Sequence, residues 1–361
     1  MKDLMTNTLV LGLGQAGGNV TSLAYERNIL TAAINTSQKD LYETNAHIKI
    51  HMSDIDGSGK DRDFSFEMFK ENYQSLLQPI FDLIDSNDIN NIAIVASGTG
   101  GTGSGIFAPV LAFLNNKYGD KLIYGVAILG SIKEDYLAQS NAKEFLKEVD
   151  EKLSVPYMIF DNDSVEGNVH EVYKTINNDI INKICVIDGY MYDASDIANI
   201  DNSDKTRLYK SGRFLISTID NISTSLTNDI DAEDNIISSI RKSHQTDIGE
   251  FVDTYGIYIN SNDLNKFDYN FVKLQNEFGQ SVTMFKHIQL YNGKSPEIAV
   301  IMTGLESPVD RFNLIDRRMS EYESKERRAL PNSNKMSIPF GERVAVEKIN
   351  DDDDLLGLFT R

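Results

Sequence analysis

Apolar residues along this chain gather in short runs, and most runs end on small or polar residues. Residues 8–13, 29–34, 92–95, 122–129 and 157–160 are almost unbroken apolar stretches, the pattern of strands covered on both faces. Between them, apolar positions recur at helical spacing over residues 20–27, 64–85, 106–114, from just past Asp135 to about 153, and 170–187. Strands alternating with helices predict an α/β fold: a parallel sheet with both faces covered and a ligand site at the C-terminal ends of its strands. The pattern then changes. Residues 205–219 read as a helix, and 251–260, 282–290 and 298–305 as strands divided by Asn, Gly and Pro, which predicts a smaller mixed α/β region. Residues 311–330 read as a charged helix, with six basic and five acidic residues between Asp310 and Arg328, so it is not a patch for polyanions. The expected division is residues 1–188, closing with a long helix at about 170–187, then 189–308, a C-terminal helix at 309–330, and a partly disordered tail at 331–361.

Two of the strand ends carry candidate chemistry. After residues 92–95 the chain passes through Ser97-Gly98-Thr99-Gly100-Gly101-Thr102-Gly103-Ser104-Gly105, five glycines and four hydroxyls in nine residues. An apolar helix follows, with Pro109 expected in its first turn, where a missing N–H costs nothing. Strand, small-residue loop and helix start together wrap an anion: glycines let N–H groups converge, hydroxyls add donors and the helix end adds positive partial charge. A flexible linker has the same composition, but linkers are seldom clamped between an apolar strand and an apolar helix.

The first strand ends in Gly12-Leu13-Gly14-Gln15-Ala16-Gly17-Gly18-Asn19, which taken alone is a dinucleotide fingerprint. A hydride-transfer enzyme needs an acid at the end of the second strand to hold a ribose. Here that strand ends in Asn35-Thr36-Ser37. Two phosphate loops and a neutral strand end favour a nucleoside triphosphate gripped from both sides; an NAD-dependent oxidoreductase is the remote alternative, separated by which cofactor binds. A third small-residue loop, residues 54–62, contains Gly59-Lys60, but Asp61 follows the lysine and no glycine stands at the earlier spacing of a P-loop. A sensor of the terminal phosphate and a plain surface turn both fit it.

Asn199-x-Asp201-x-x-Asp204 places two carboxylates on one side of a helix start. An N-cap with acidic flanks explains one of them; two with an Asn before them exceed what capping requires.

Composition narrows the partners. The 361 residues hold 54 acidic and 35 basic side chains, a net charge of −19, which repels nucleic-acid backbones and routes any DNA contact through a basic partner. Cys185 is the only cysteine, so no disulfide framework or thiolate metal site is expected. No apolar run approaches the roughly 20 residues of a membrane span, and residues 1–7 lack a signal-peptide core, so a cytoplasmic protein is expected. The chain closes on Asp351-Asp352-Asp353-Asp354-Leu355-Leu356-Gly357-Leu358-Phe359-Thr360-Arg361, which reads equally as a docking peptide that folds on binding and as a solvated tail.

Thr99-Gly100-Gly101-Thr102-Gly103-Ser104-Gly105 resembles the signature phosphate loop of the tubulin/FtsZ family of GTP-dependent filament proteins, with Thr99 where a Gly is usual. Gly12-x-Gly14-Gln15-Ala16-Gly17-Gly18-Asn19 is similar to the family's first nucleotide loop, and Asn35-Thr36 to its second. Asn162-Asp163 and Asn178-Asp179 stand in the order of its base-binding positions, and such side chains suit guanine: a carboxylate accepts from N1–H and the 2-amino group, an amide donates to O6. Asn199-x-Asp201-x-x-Asp204 matches its hydrolysis-activating loop. Residues 132–142 lack the Gly-Glu-x-x-Arg pattern of division proteins, which leaves Glu134 as the ribose contact. By motif the resemblance covers residues 8–220.

The resemblance implies a parallel-sheet GTP-binding domain joined by a long central helix to a smaller mixed α/β activation domain. It implies GTP or GDP with Mg²⁺ as ligands, and no side-chain metal site is assigned. Nucleotide contacts are expected from Gly14, Gln15, Ala16, Gly17, Asn19, Asn35 and Thr36; from Ser97, Gly98, Thr99, Gly100, Gly101, Thr102, Gly103 and Ser104; and from Glu134, Asn162, Asn178 and Asp179. Asp201, Asp204 and Asn199 are expected to act catalytically on the nucleotide of a neighbouring subunit in a head-to-tail homopolymer. Gln15 and the short spacer before the C-terminal peptide lean toward the TubZ-like segregation tubulins of plasmids and phages, whose filaments move DNA through a DNA-bound adaptor. The C-terminal region is then the adaptor contact, with no direct nucleic-acid or membrane binding. A divergent division-ring protein is the alternative.

Overall fold

The computed structural model describes residues 7–52, 56–188, 200–210, 212–219, 229–246, 248–249, 251–261, 271–290, 298–329 and 352–360. The strands are β1 (Thr8–Leu13), β2 (Leu30–Asn35), β3 (Ile48–His51), β4 (Asn91–Ser97), β5 (Leu122–Leu129), β6 (Pro156–Asp161), β7 (Gly212–Ile219), β8 (Thr254–Ser261), β9 (Thr283–Leu290) and β10 (Ile298–Leu305). The helices are α1 (Gly14–Glu26), α2 (Gln38–Glu43), α3 (Arg62–Asp85), α4 (Thr102–Lys117), α5 (Tyr136–Lys152), α6 (Val169–Asp188), α7 (Asn202–Leu208), α8 (Asp229–Arg241), α9 (Val272–Phe278), α10 (Val309–Ala329) and α11 (Asp352–Gly357). The strands form one sheet in the order β3-β2-β1-β4-β5-β6-β7-β10-β8-β9. It is parallel from β3 to β7; β10 runs antiparallel between β7 and β8, and β9 is parallel to β8. The chain is thus α/β with a large, mostly parallel sheet.

The period of two along the central strands divides the core into two layers. Leu9, Leu11, Ile92 and Ile94 point to one face, where α3, α4 and α5 cover them with Phe69, Leu77, Ile106, Phe107 and Phe145. Val10, Ala93 and Val95 point to the other, under Val20 and Ala24 of α1 and Ile176, Ile180 and Ile184 of α6. This second layer runs on without a break to Phe214 and Ile216 of β7, Tyr258 of β8 and Ile301 of β10. Between the halves of the sheet β7 pairs with β6, among the described residues, at Pro156↔Gly212 and Tyr157↔Arg213. Beyond them residues 244–246 bridge the two strands: the Asp161 N–H donates to the His244 carbonyl, the Thr246 N–H to the Ile159 carbonyl, and the Gln245 side chain bonds to the Ile216 backbone.

Several local expectations change. The helix read at 205–219 is α7 followed by a strand: Phe214 and Ile216 face one core layer and Leu215 the next, an alternation that a three-residue apolar run disguises. Helix α4 begins inside the small-residue loop, at Thr102, so Pro109 lies in its interior and the loop itself supplies the first turn. Residues 36–51, to which the sequence pattern assigned no element, contain α2 and β3. Within the tail, residues 352–360 are folded, and Leu355, Leu356 and Phe359 are buried. Among the described residues, no helix is long and apolar enough to cross a membrane.

Candidate functional site

A cleft of ≈ 600 Å³ opens where β1, β2 and β4 end. Two helices start at it, α1 at Gly14 and α4 at Thr102. Neither has a side-chain cap and neither carries an acidic residue in its first turn. Helices α2, α3, α5 and α7, by contrast, are capped by Ser37, Asp61, Asp135 and Asp201. At the cleft, therefore, the N–H groups that a helix start leaves without an intrahelical partner are left to a ligand, and the dipoles of α1 and α4 favour an anion there.

The glycines divide by task. A Cβ on Gly17 would lie 2.4 Å from the Val95 carbonyl, and one on Gly103 would lie 2.8 Å from that of Leu13; these residues let α1 and α4 press against the sheet. Gly14 turns the chain at φ +69°, and Gly100 has nothing within 4 Å of its would-be Cβ, its open side being the cleft. Of the expected contacts, Gly14, Gln15, Ala16, Asn19, Asn35 and Thr36 line the cleft, with Ser97, Thr99, Gly100, Gly101, Thr102 and Gly103 opposite. The Thr36 and Thr102 hydroxyls meet at 2.7 Å and tie the second loop to the phosphate loop. Gly17, Gly98 and Ser104 do not line it. Gly98 packs on Phe145, and the Ser104 hydroxyl donates back to the Gly101 carbonyl at 3.2 Å, closing the first turn of α4.

The third loop is part of the site. Gly57, Ser58, Gly59 and Lys60 line the cleft, and Gly101 fits against Ser58 and Asp61 so closely that a Cβ there would meet the Ser58 hydroxyl at 2.2 Å. Lys60, at φ +65°, forms an ion pair with Asp135 at 2.8 Å. Two buried residues that no local pattern marks hold this loop to the phosphate loop. The Asn141 amide donates to the Lys60 carbonyl at 2.9 Å and the Gly100 carbonyl at 3.3 Å. The Arg62 guanidinium pairs with Glu148 at 2.5 Å and donates to the Ser104 carbonyl at 3.0 Å. Glu134 also lines the cleft; burial pushes its carboxyl above the usual range, against the pull of Lys60 and of hydrogen bonds from the Ser131 N–H and the Thr99 hydroxyl.

At the other end of the cleft stand Asn162, Tyr173 and Asn177. The Oδ1 atom of Asn162 is buried without a hydrogen-bond partner, an acceptor left for a ligand. Asn178 and Asp179 do not reach the cleft, and the expectation shifts by one residue to Asn177. A helix turns about 100° per residue, so only one of three consecutive positions can face the site. Tyr173 and Asn177, four apart, share that face. Asn178 instead bonds to Arg27 and the Lys174 carbonyl, and Asp179 pairs with Lys183 at 3.2 Å. Asp163 also serves the framework. Burial would raise its pKa, but bonds from the Ile132 N–H, the Ser131 hydroxyl and Arg311 outweigh that and hold it below the usual range. Arg311 further contacts Asp161 and the Gly130 carbonyl, fastening α10 to the rim of the cleft.

Asp201 and Asp204 are at the far end of the molecule. Helix α6 leaves the cleft at Tyr173 and Asn177 and ends at Asp188, whose carboxylate accepts from Thr8 at 2.6 Å and Asn91 at 3.1 Å, the first residues of β1 and β4. At 1.5 Å per residue its 20 residues span about 30 Å. Helix α7 then leads into β7, whose start pairs with the start of β6. Both carboxylates act in a capping box there: Asp201 accepts from the Asp204 N–H at 2.8 Å, and Asp204 from the Asp201 N–H at 3.3 Å. Capping thus accounts for two acids, contrary to the expectation that one suffices. Asn199 lies outside the described residues.

Comparison with known proteins gives this site a family. Residues 7–170 match the Tubulin/FtsZ family, GTPase domain. The chain is 30% identical over 189 residues to the tubulin-like protein TubZ of Clostridium botulinum C phage, covering 49% of this chain and 52% of the relative. It is 28% identical over 265 residues to the tubulin-like protein CetZ4 of Haloferax volcanii, covering 66% and 65%. The chain therefore spans about half to two thirds of the length of these relatives. In fold it is similar to the crystal structure of Clostridium botulinum phage c-st TubZ (TM-score 0.70, 19% identity, 90% of this chain and 100% of that one). It is also similar to a GTPγS-form protofilament of Bacillus thuringiensis serovar israelensis TubZ (TM-score 0.72, 17% identity, 91% and 94%). Residues 7–170 of this chain belong to the Tubulin/FtsZ family as its GTPase domain.

Proposed function

We propose that this chain binds GTP in the cleft and hydrolyses it between subunits stacked head to tail, as a filament that moves plasmid or phage DNA. One observation carries the reading: the anion-binding helix starts and the paired acids Asp201 and Asp204 lie at opposite ends of one subunit, separated by the length of α6. A cleft and an acid pair so far apart complete each other only across a subunit boundary. The GTPγS-form TubZ protofilament supports stacking for a protein of this fold.

In the composite site the N–H groups of α1 and α4 hold the phosphates, Asn162 and Asn177 meet the base, and Lys60 is the cation that lines the cleft. The neighbour's Asp201 and Asp204 orient and polarise the attacking water, work of positioning and electrostatics rather than covalent chemistry. The cleft offers oxygen donors suited to Mg²⁺, with Thr36, Thr102 and Asp40 the residues that would hold it, and among the described residues no His, Cys, Asp and Glu cluster forms a separate metal site. Magnesium supplies charge neutralisation of the phosphates when bound. A net charge of −19 favours a basic adaptor protein over direct contact with DNA.

The test is phosphate release from GTP across a protein concentration series, with light scattering alongside. Activity per molecule should switch on above a critical concentration, together with scattering. Asp201→Asn keeps a good capping side chain, so it should polymerise yet release phosphate at least about 100-fold more slowly. Activity proportional to protein without scattering would refute the shared site.

A further inference from the structure

The C-terminal residues 352–360 lie on the face of the molecule that α3, α4 and α5 build, away from the cleft. Leu355 and Leu356 enter the core layer of those helices, and Phe359 is 2% exposed in a small cluster with Phe66 of α3 and Ala108 of α4. Leu358 and Leu153 pack at its edge. This segment is separated from α10 by residues 330–351, 22 residues that span up to about 75 Å when extended, so chain length does not force it into this place. What holds it there is side-chain fit. Acids precede the apolar anchors, and a cation receives the ring: the Lys152 ammonium lies 5.6 Å from the centre of Phe359.

The contact also reaches the cleft through consecutive partners. Lys152 stands 4.0 Å from the Glu148 carboxylate, Glu148 pairs with Arg62 at 2.5 Å, and Arg62 donates to the Ser104 carbonyl in the first turn of α4. With Phe359 in place, Lys152 is shared between the ring and Glu148. With Phe359 gone, Lys152 is drawn fully to Glu148 and competes with Arg62 for it.

We propose that the α3–α4–α5 face is a regulatory docking site for the chain's own C-terminal segment, and that docking strengthens binding of a nucleoside triphosphate in the cleft. The occupant is the acidic Leu-Leu-x-x-Phe segment of the same chain, held by three apolar anchors and released as a unit. Coupling of this kind is reciprocal, so a bound triphosphate strengthens docking by the same factor. The coupling rests on the nucleotide reading above; the docking does not.

Both parts are testable on the full chain. In a triple variant, Leu355→Ser, Leu356→Ser and Phe359→Ser, the segment leaves and its place is vacant. A labelled peptide of residues 351–361 should bind this variant saturably in fluorescence anisotropy, and wild type at least tenfold more weakly, because its own segment occupies the site. The same peptide carrying Phe359→Ser should not bind. Equal binding to wild type and variant, or to neither, would overturn the docking site. Gly357→Ala guards against a folding artefact in the triple variant. Its added methyl meets nothing within 4 Å and favours the helix, so it should slow hydrogen exchange of the 355–359 amides; unchanged exchange counts against docking. For the coupling, the triple variant should bind GTPγS at least threefold more weakly than wild type. Equal or tighter binding overturns the coupling, and binding by neither overturns the nucleotide reading and the coupling together, while the peptide arm still judges docking.

Discussion

Replacing Arg62 with Met should cost more stability than replacing both Arg62 and its partner Glu148. The two side chains are 3% and 8% exposed and meet at 2.5 Å. Removing one member of a buried pair strands the other charge, at a cost of about 3–5 kcal/mol. Lys152, 4.0 Å from Glu148 and 32% exposed, can swing toward the stranded carboxylate, which places Arg62→Met near 3 kcal/mol. In the double variant Arg62→Met/Glu148→Leu no charge is stranded and the volume is nearly kept, so most of that loss should return. The carbonyls of Ser104 and Asn141 lose their donor in both variants, which leaves the double variant a residual deficit of about 1 kcal/mol. Equilibrium urea unfolding of the three proteins gives the midpoints. If the single and double variants unfold at the same midpoint, the pair is not a desolvated charge pair and this account of the phosphate-loop brace fails.

Three further outcomes follow from the site. Asn177→Ala should weaken GTP binding about tenfold, the worth of one hydrogen bond to a ligand, while Asn178→Ala leaves it within twofold; titration with a fluorescent GTP analogue separates them. Glu134 has a raised pKa, so its proton stabilises the fold fully below the ordinary value of 4.5, and that stability is lost as pH rises through the raised value. Over that window the new negative charge should also lower triphosphate affinity, and Glu134→Gln should flatten the pH dependence; an identical slope in the variant would refute this role. Gly17→Ala drives a Cβ to 2.4 Å from the Val95 carbonyl and should cost at least about 1–3 kcal/mol in thermal unfolding. Gly100→Ala has open space and should melt as wild type does while binding GTP more weakly.

What local sequence reveals here is backbone chemistry. The two glycine loops were legible because their small residues stand close together in sequence, although the atoms that require them come from afar (Val95 at Gly17, Leu13 at Gly103, Ser58 at Gly101), and β1, β4 and β5 because both their faces are buried. Strand β7 was hidden because Phe214-Leu215-Ile216 looks the same along a helix as between two core layers. Asn177 was missed by a single step of helical phase among Asn177, Asn178 and Asp179, which carry alternative chemistry side by side. Asn141, Arg62 and Arg311 were illegible for another reason: their partners are 41 to 181 residues away in the chain. The tail showed its anchors in sequence but not what they anchor to, since only the folded α3–α4–α5 face supplies Phe66 and Ala108 together.

The narrow join between β6 and β7 has a mechanical consequence. Hydrogen bonds act like rungs with fixed bearings, and at this join there are two residue pairs, one of them involving a proline that has no N–H to give. Past those pairs a crosspiece takes over: the Asp161 N–H donates to the His244 carbonyl, the Thr246 N–H to the Ile159 carbonyl, and the Gln245 side chain bonds to both backbone groups of Ile216, beside the apolar layer of Ile176, Ile180 and Ile184 with Phe214 and Ile301. Apolar contact resists pulling apart but has no preferred direction. The crosspiece at residues 244–246 supplies the fixed bearings that two strand pairs and an apolar layer lack, as a lintel carries load across a gap between two posts.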